Sequence, residues 1–266
     1  MSQKIVQNPV INLLQEIPKP LFFKDKKLAL FWSAKAGCTF AIKWFFFQIG
    51  CLEAASFYHK WIHKYRQEVF YESQGYKLHI QDILKPDTNI IKFVRNPYAR
   101  VVSSYIHAIN TGYEDKRISV FLNRVIDQDN GFSFIEFIDY LESIDLRNCN
   151  GHHKIQVHIS EAEKLVNINY IIRLENSFEE LKKIEFQLGL KSSNLTELSS
   201  SHHHSIRDRD NSFCGDRRFC VSKLNKNRYF PKSPCFYNED LKNRVNKLYE
   251  LDFNTYQYDP YILPER

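Results

Sequence analysis

Glycine is scarce in this 266-residue chain, with eight in all, and methionine occurs once. So little glycine excludes a collagenous or low-complexity fibre. None of the six cysteines (Cys38, Cys51, Cys149, Cys214, Cys220 and Cys235) belongs to a CxxC pair. That excludes a zinc ribbon or a thioredoxin-type motif and predicts a reducing compartment. The most apolar stretch is interrupted by Lys35, Lys43 and Glu53, which leaves nine uncharged residues from Trp44 to Leu52. A membrane-spanning helix needs roughly twice that. The opening residues MSQKIVQNPVINLLQEIPKP contain no apolar signal core, so neither a signal peptide nor a membrane span is expected. No internal repeat and no dense basic block stands out. The 37 Lys and Arg against 31 Asp and Glu give +6, which favours an anionic ligand but does not point to nucleic acid.

What the chain does have is apolar and aromatic mass: 43% hydrophobic residues, including 21 Phe and 15 Tyr. A globular unit of this size buries roughly 70–75% of its unfolded surface, so one folded domain with a sizeable core is expected. Residues 1–27 read as a polar arm carrying Pro18 and Pro20, and residues 28–266 as the domain, with a long loop at about 190–235.

The stretch LALFWSAKAGCTFAIKWFFFQIG, from Leu28 to Gly50, reads as buried strand, small-residue turn and helix. Small side chains at Ala34, Ala36, Gly37, Cys38 and Thr39 let backbone N–H groups approach a ligand, and a helix beginning near Thr39 adds its positive end. A phosphate or sulfate group suits this loop. Its lysine precedes the glycine, unlike the Gly-Lys-Ser/Thr order of the nucleoside-triphosphate loop. Lys35 would therefore lie over the bridging oxygen of a bound anhydride and neutralise a leaving phosphate.

A second junction follows. NIIKFV (89–94) is a short apolar strand leading to Arg95, with Pro97 at the first turn of a helix. That helix is expected to turn Tyr98, Val101, Val102 and Tyr105 inward and Arg100 outward. Arg95 can fork onto a phosphate and Ser103 can add a hydroxyl. A third strand at 168–174 and a helix at 177–188 complete an α/β alternation, which predicts a parallel sheet with its ligand at the strands' carboxyl ends. Helices are also expected over 57–76, with Tyr58, Trp61, Ile62 and Tyr65 inward, and over 133–141 and 238–251.

Together these segments resemble the sulfotransferases that use 3′-phosphoadenosine 5′-phosphosulfate (PAPS), in particular the branch containing carbohydrate sulfotransferases. AKAGCT matches a PKxGxT loop, with Ala34 in place of proline, and FVRNPYARVVSSY matches FVRxPxxRxxSxY. NGHHKIQ is similar to DxHWxPQ, with His152 and Gln156 in register and His153 replacing tryptophan. IIRLEN resembles FIGRFEN, placing Glu175, and LYELDFNTYQY resembles YxxDFxxFxY.

The resemblance implies a P-loop-like α/β fold with a central parallel sheet flanked by helices. It implies that Lys35, Ala36, Gly37, Cys38 and Thr39 hold the 5′-phosphosulfate and that Arg95 and Ser103 hold the 3′-phosphate. PAPS would be the co-substrate and adenosine 3′,5′-bisphosphate (PAP) the product, with no metal. The acceptor would be a hydroxyl or amine of a carbohydrate or small polar metabolite, and the lack of a signal anchor points to the cytoplasm.

Relatives take their base from a histidine or carboxylate before the second signature strand, which selects His79, with His152 next and His59 and His63 as remoter options. His59 and His63 have metal-pair spacing but no third ligand, and the triplet His202–His204 reads as adventitious metal affinity. Two other classes fit parts of the sequence. One is a nucleotide-dependent kinase using the same loop. The other is a binder of anionic polymer using the basic aromatic helix at 57–76 and the Arg-rich loop at 207–218.

Overall fold

The structure is a computed structural model that describes residues 9–200, 206–207, 212–221 and 229–264. The histidine triplet 202–204 and parts of the long loop and of the arm lie outside the described residues.

Along the chain, β1 (Leu21–Phe23) and β2 (Leu28–Trp32) precede α1 (Cys38–Gln48). Short helices follow, among them α2 (Ile62–Tyr65) and α3 (Gln74–His79), then β3 (Asn89–Val94) and α4 (Pro97–Thr111). After α5 (Phe134–Glu142) come β4 (Tyr170–Arg173), α6 (Ser177–Gln187) and α7 (Glu239–Leu248). The expected alternation is present. The helix expected over 57–76 is not continuous. His59 Nδ1 accepts a hydrogen bond from Trp61 N (2.9 Å), a local side-chain bond that draws the backbone out of the helix. Trp61 is consequently 49% exposed instead of inward, and Tyr58 is exposed as well. Ser73 caps α3 by accepting from Tyr76 N.

The chain forms two compact units, residues 1–94 with 156–201 and residues 95–155 with 202–266. The first contains the sheet, in the order β1-β2-β3-β4. β2, β3 and β4 are parallel, with Trp32 beside Phe93 and Phe93 beside Ile172. The expected parallel sheet is thus extended by one antiparallel edge strand, β1, drawn from the stretch read as an arm, with Leu21 opposite Leu30. Phe40 of α1 packs edge-on against Phe93, 5.9 Å between centroids. Glu185 of α6 accepts from Trp44 Nε1 (2.8 Å) and Gln48 (3.2 Å), which fixes α1 to α6. On the other face Lys92, fully buried, pairs with Glu161. A charge in that position is tolerated only because it is matched.

The second unit is built around Tyr105 of α4. Its ring packs against Phe132, Phe134, Phe137 and Phe236, and its hydroxyl donates to Phe132 O (2.7 Å). Tyr98, Val101 and Val102 are buried as expected, but Arg100 is buried too, 1% exposed. Its Nη2 donates to Lys154 O at 2.6 Å, so a backbone carbonyl from a later segment draws it inward.

Candidate functional site

The loop after β2 begins with a turn closed by Ala36 N donating to Ser33 O (3.2 Å). Lys35, its third residue, has φ +66, the positive value a type II turn requires there. Ala34 therefore occupies the position where proline is favoured, which explains the proline of the related loop pattern. A lysine held left-handed costs about 1–2 kcal/mol relative to an ordinary backbone conformation, a cost typical of functional loops. Gly37 is left-handed as well, at φ +78, and a Cβ there would meet Leu174 Cδ1 at 2.5 Å. Leu174 directly follows β4, so the loop is seated at the carboxyl end of the sheet.

Gly37 is the N-cap of α1 and has no side chain to cap it, and no acidic residue occupies the first turn. The caps of α4 and α5 differ: Asn96 accepts from Tyr98 N and Ser133 from Glu136 N. The N–H groups of Cys38, Thr39 and Phe40 have no partner within α1, because the first turn of any helix leaves its donors open. Backbone donors at a helix N-terminus thus offer a site for an anion, with Lys35 in the turn that leads into it.

Two residues support this loop that sequence reasoning ranked low or left without a role. His63 of α2, 8% exposed, places Nε2 3.1 Å from Thr39 Oγ1 and 3.8 Å from Cys38 Sγ. Gln156 Oε1 accepts from Ser33 Oγ (3.1 Å), while the Gln156 carbonyl accepts from Lys92 Nζ (2.7 Å). The only sequence signal for Gln156 was its register in the NGHHKIQ match.

His79 is not brought to the loop. Its Nδ1 lies 3.4 Å from Asp82 Oδ2, and the Asp82 carbonyl accepts from Thr88 Oγ1 (2.8 Å) just before β3 begins. Asn89 N in turn donates to Lys27 O just before β2 begins (2.8 Å). His79 therefore stands at the amino ends of these strands. At about 3.3 Å per residue that is roughly 15 Å from the Lys35 end.

Arg95, Ser103 and His152 belong to the second unit, where each is half-buried. Arg95 precedes the cap Asn96, and Ser103 lies in the second turn of α4. His152 has its backbone N–H and its Nδ1 on Asn150 Oδ1 (3.0 and 2.8 Å), and its ring is 4.4 Å from His107.

His153 stands among Tyr113, Phe137 and Tyr140, an aromatic setting that suits the tryptophan it replaces in the related pattern. Neither ring nitrogen has a hydrogen-bond partner among the described residues. Burial, followed by the charge of Arg100, holds its pKa down at about 3. Glu114 Oε1, 3.8 Å away, does not reverse this, being already engaged by Tyr140 and Arg117. The folded pKa lies below the ordinary value near 6.5, so the unfolded chain takes up this proton first as pH falls. Stability is therefore complete above about pH 6.5 and is lost as pH drops toward 3, with a slope of up to about 1.4 kcal/mol per pH unit. His153→Phe should flatten the dependence of urea-unfolding free energy on pH between 7 and 5. An unchanged slope would assign the acid sensitivity elsewhere.

The model of a family described as the sulfotransferase family matches residues 21–259. The chain belongs to the sulfotransferase family. Comparisons with curated proteins and with solved structures return no match. The sulfotransferase is thus an enzyme of sulfuryl transfer with an α/β fold. No described helix of this sulfotransferase is long and apolar enough to cross a membrane, and no three metal-ligating side chains cluster among the described residues.

Proposed function

We propose that this sulfotransferase takes its sulfuryl group from PAPS and moves it to a hydroxyl or amine of a carbohydrate or small polar metabolite, in the cytoplasm. The observation that carries the reading is the uncapped, carboxylate-free N-terminus of α1, entered through a left-handed Lys35. Lys35, Ala36, Gly37, Cys38 and Thr39 hold the 5′-phosphosulfate. Arg95 and Ser103 hold the 3′-phosphate, on the strength of the FVRNPYARVVSSY match.

The transfer is an in-line displacement that depends on positioning and charge stabilisation. The acceptor oxygen or nitrogen bonds to sulfur while the bond from sulfur to the bridging oxygen breaks. The electron pair stays on the 5′-phosphate oxygen, where Lys35 offsets the new charge. The acceptor proton passes to His63, which we prefer to His79 because its ring touches the donor loop itself. His152 is kept as an acceptor contact.

PAP, in the absence of magnesium, is expected to raise the melting temperature of the wild type, and Arg95→Ala to abolish that rise. No shift at saturating PAP overturns the reading. A shift with ATP and magnesium instead would favour a kinase, and salt-sensitive heparin binding without a PAP response would favour a polymer binder.

A further inference from the structure

Arg66 is a half-buried cation that no described carboxylate neutralises. Its guanidinium carbon lies 5.3 Å from the ring centroid of Trp32 and 5.6 Å from that of Tyr71. Its Nε is sealed from solvent and has no hydrogen-bond partner among the described residues. A second cation lies close by: Lys19 Nζ is 5.9 Å from the Tyr71 ring, and the Tyr71 hydroxyl donates to the Lys19 carbonyl (2.5 Å). A buried donor without an acceptor is costly, and the two terminal nitrogens, which are not sealed, leave the guanidinium open to an anion that arrives from outside.

The position of Arg66 restricts which anion that is. Trp32 ends β2, three residues before Lys35. The antiparallel register Leu21↔Leu30, carried two residues further, sets Lys19 beside Trp32. His63, on Thr39 of the donor loop, precedes Arg66 by three residues, which puts the two on one face of the same turn. There the helix widens into π geometry over Arg66–Phe70, with Tyr71 N donating to Arg66 O (3.0 Å). Single π turns of this kind recur at functional sites. Arg66 therefore stands at the carboxyl end of the sheet, with its Cβ about 5–6 Å from that of His63, whose imidazole is assigned as base. Stacking on aromatic faces leaves a guanidinium's planar edge open for bidentate bonding.

We propose that Arg66 is the anion contact for the acceptor, and that the preferred acceptor is an acid, with a carboxylate about one helical turn's width from the hydroxyl or amine that is sulfated. The inference rests on the PAPS reading and on His63 as base, and it narrows the acceptor to carboxylate-bearing alcohols or amines such as sugar acids and hydroxy acids. Lys19 adds charge at the rim.

The test measures sulfate transfer from PAPS to matched acid and neutral alcohols: methyl glucuronide against methyl glucoside, and glycerate against glycerol. In the wild type kcat/KM is expected to favour the acid of at least one pair by about 10- to 100-fold, the range of a charge-assisted bond. In Arg66→Gln that ratio should collapse toward one, mainly through KM for the acid. Arg66→Lys keeps the charge without the fork, should fall between the two, and serves if the glutamine variant does not fold.

The PAP-induced melting shift, measured on every variant, reports the donor site separately. A wild type that favours no acid over its neutral partner overturns the inference, and so does a ratio that Arg66→Gln leaves unchanged. Loss of the PAP shift in Arg66→Gln would assign the guanidinium to the donor and overturn it too. A wild type that ignores PAP would instead sink the PAPS reading.

Discussion

Replacing Lys35 by alanine is expected to lower kcat for sulfate transfer by about 10²–10³-fold while weakening PAP binding much less. The magnitude is that of removing one preorganised group from a developing negative charge, roughly 3–4 kcal/mol. The asymmetry follows from when the charge appears. Negative charge builds on the bridging oxygen only as the bond to sulfur breaks, so an ammonium placed there acts on the transition state more than on the bound nucleotide. The backbone offers an internal control. Lys35 has φ +66, and alanine meets the same steric cost in that conformation, so Lys35→Ala removes charge without relieving the turn. Lys35→Gly relieves it, and should be more stable than Lys35→Ala by about 1 kcal/mol with an equal loss of kcat. Steady-state kinetics with PAPS and thermal unfolding of the two variants separate these effects. A kcat within threefold of wild type in either would remove Lys35 from the chemistry.

Such a turn was partly legible in the sequence. The lysine-before-glycine order and the small residues placed the loop between β2 and α1, where it lies. Gly37 illustrates what could not be read. Its φ of +78 is the kind of demand a glycine signals, but the close approach of Leu174 depends on β4 lying in register with β3. Periodicity found β2, β3 and β4 because each is a run of apolar residues. It did not find β1, three residues long behind Pro20, whose partner is chosen by the sheet edge and not by its own pattern.

Arg100 failed differently. A charge on an otherwise apolar helix face reads as outward, whereas here the carbonyl of Lys154, fifty-four residues on, accepts from the buried guanidinium. His79 stands away from the loop for a reason the sequence did contain. A residue ten positions before a parallel strand, with a tight 3₁₀ turn between, is delivered to the strand's amino end, whereas the donor loop leaves from the carboxyl end. The His63 contact had no such signal. It depends on the helix breaking at His59–Trp61, where one side-chain hydrogen bond outweighs helical periodicity.

His63 should therefore carry a larger kinetic effect than the histidine nearer the second signature strand. His63→Ala is expected to reduce kcat by about 10²–10⁴-fold, the range for a positioned general base, and His79→Ala by less than about threefold. Because Nε2 also sits 3.1 Å from Thr39 Oγ1, loss of activity in His63→Ala could reflect a displaced loop as well as a missing base. His63→Gln separates the two. A glutamine amide can keep a hydrogen bond to the Thr39 hydroxyl but cannot take up a proton near neutral pH, so it should retain the PAP-induced melting shift and still lose kcat. The pH profile gives a second readout: a neutral imidazole acting as base makes the rate fall on the acid side, and that limb should vanish from whatever activity His63→Gln retains. If His63→Gln turns over normally, Thr39 is simply being positioned and the proton leaves by another route. If His79→Ala proves the slower variant, α3 must leave the amino end of the sheet during turnover, contrary to the Asp82 and Thr88 contacts that hold it there.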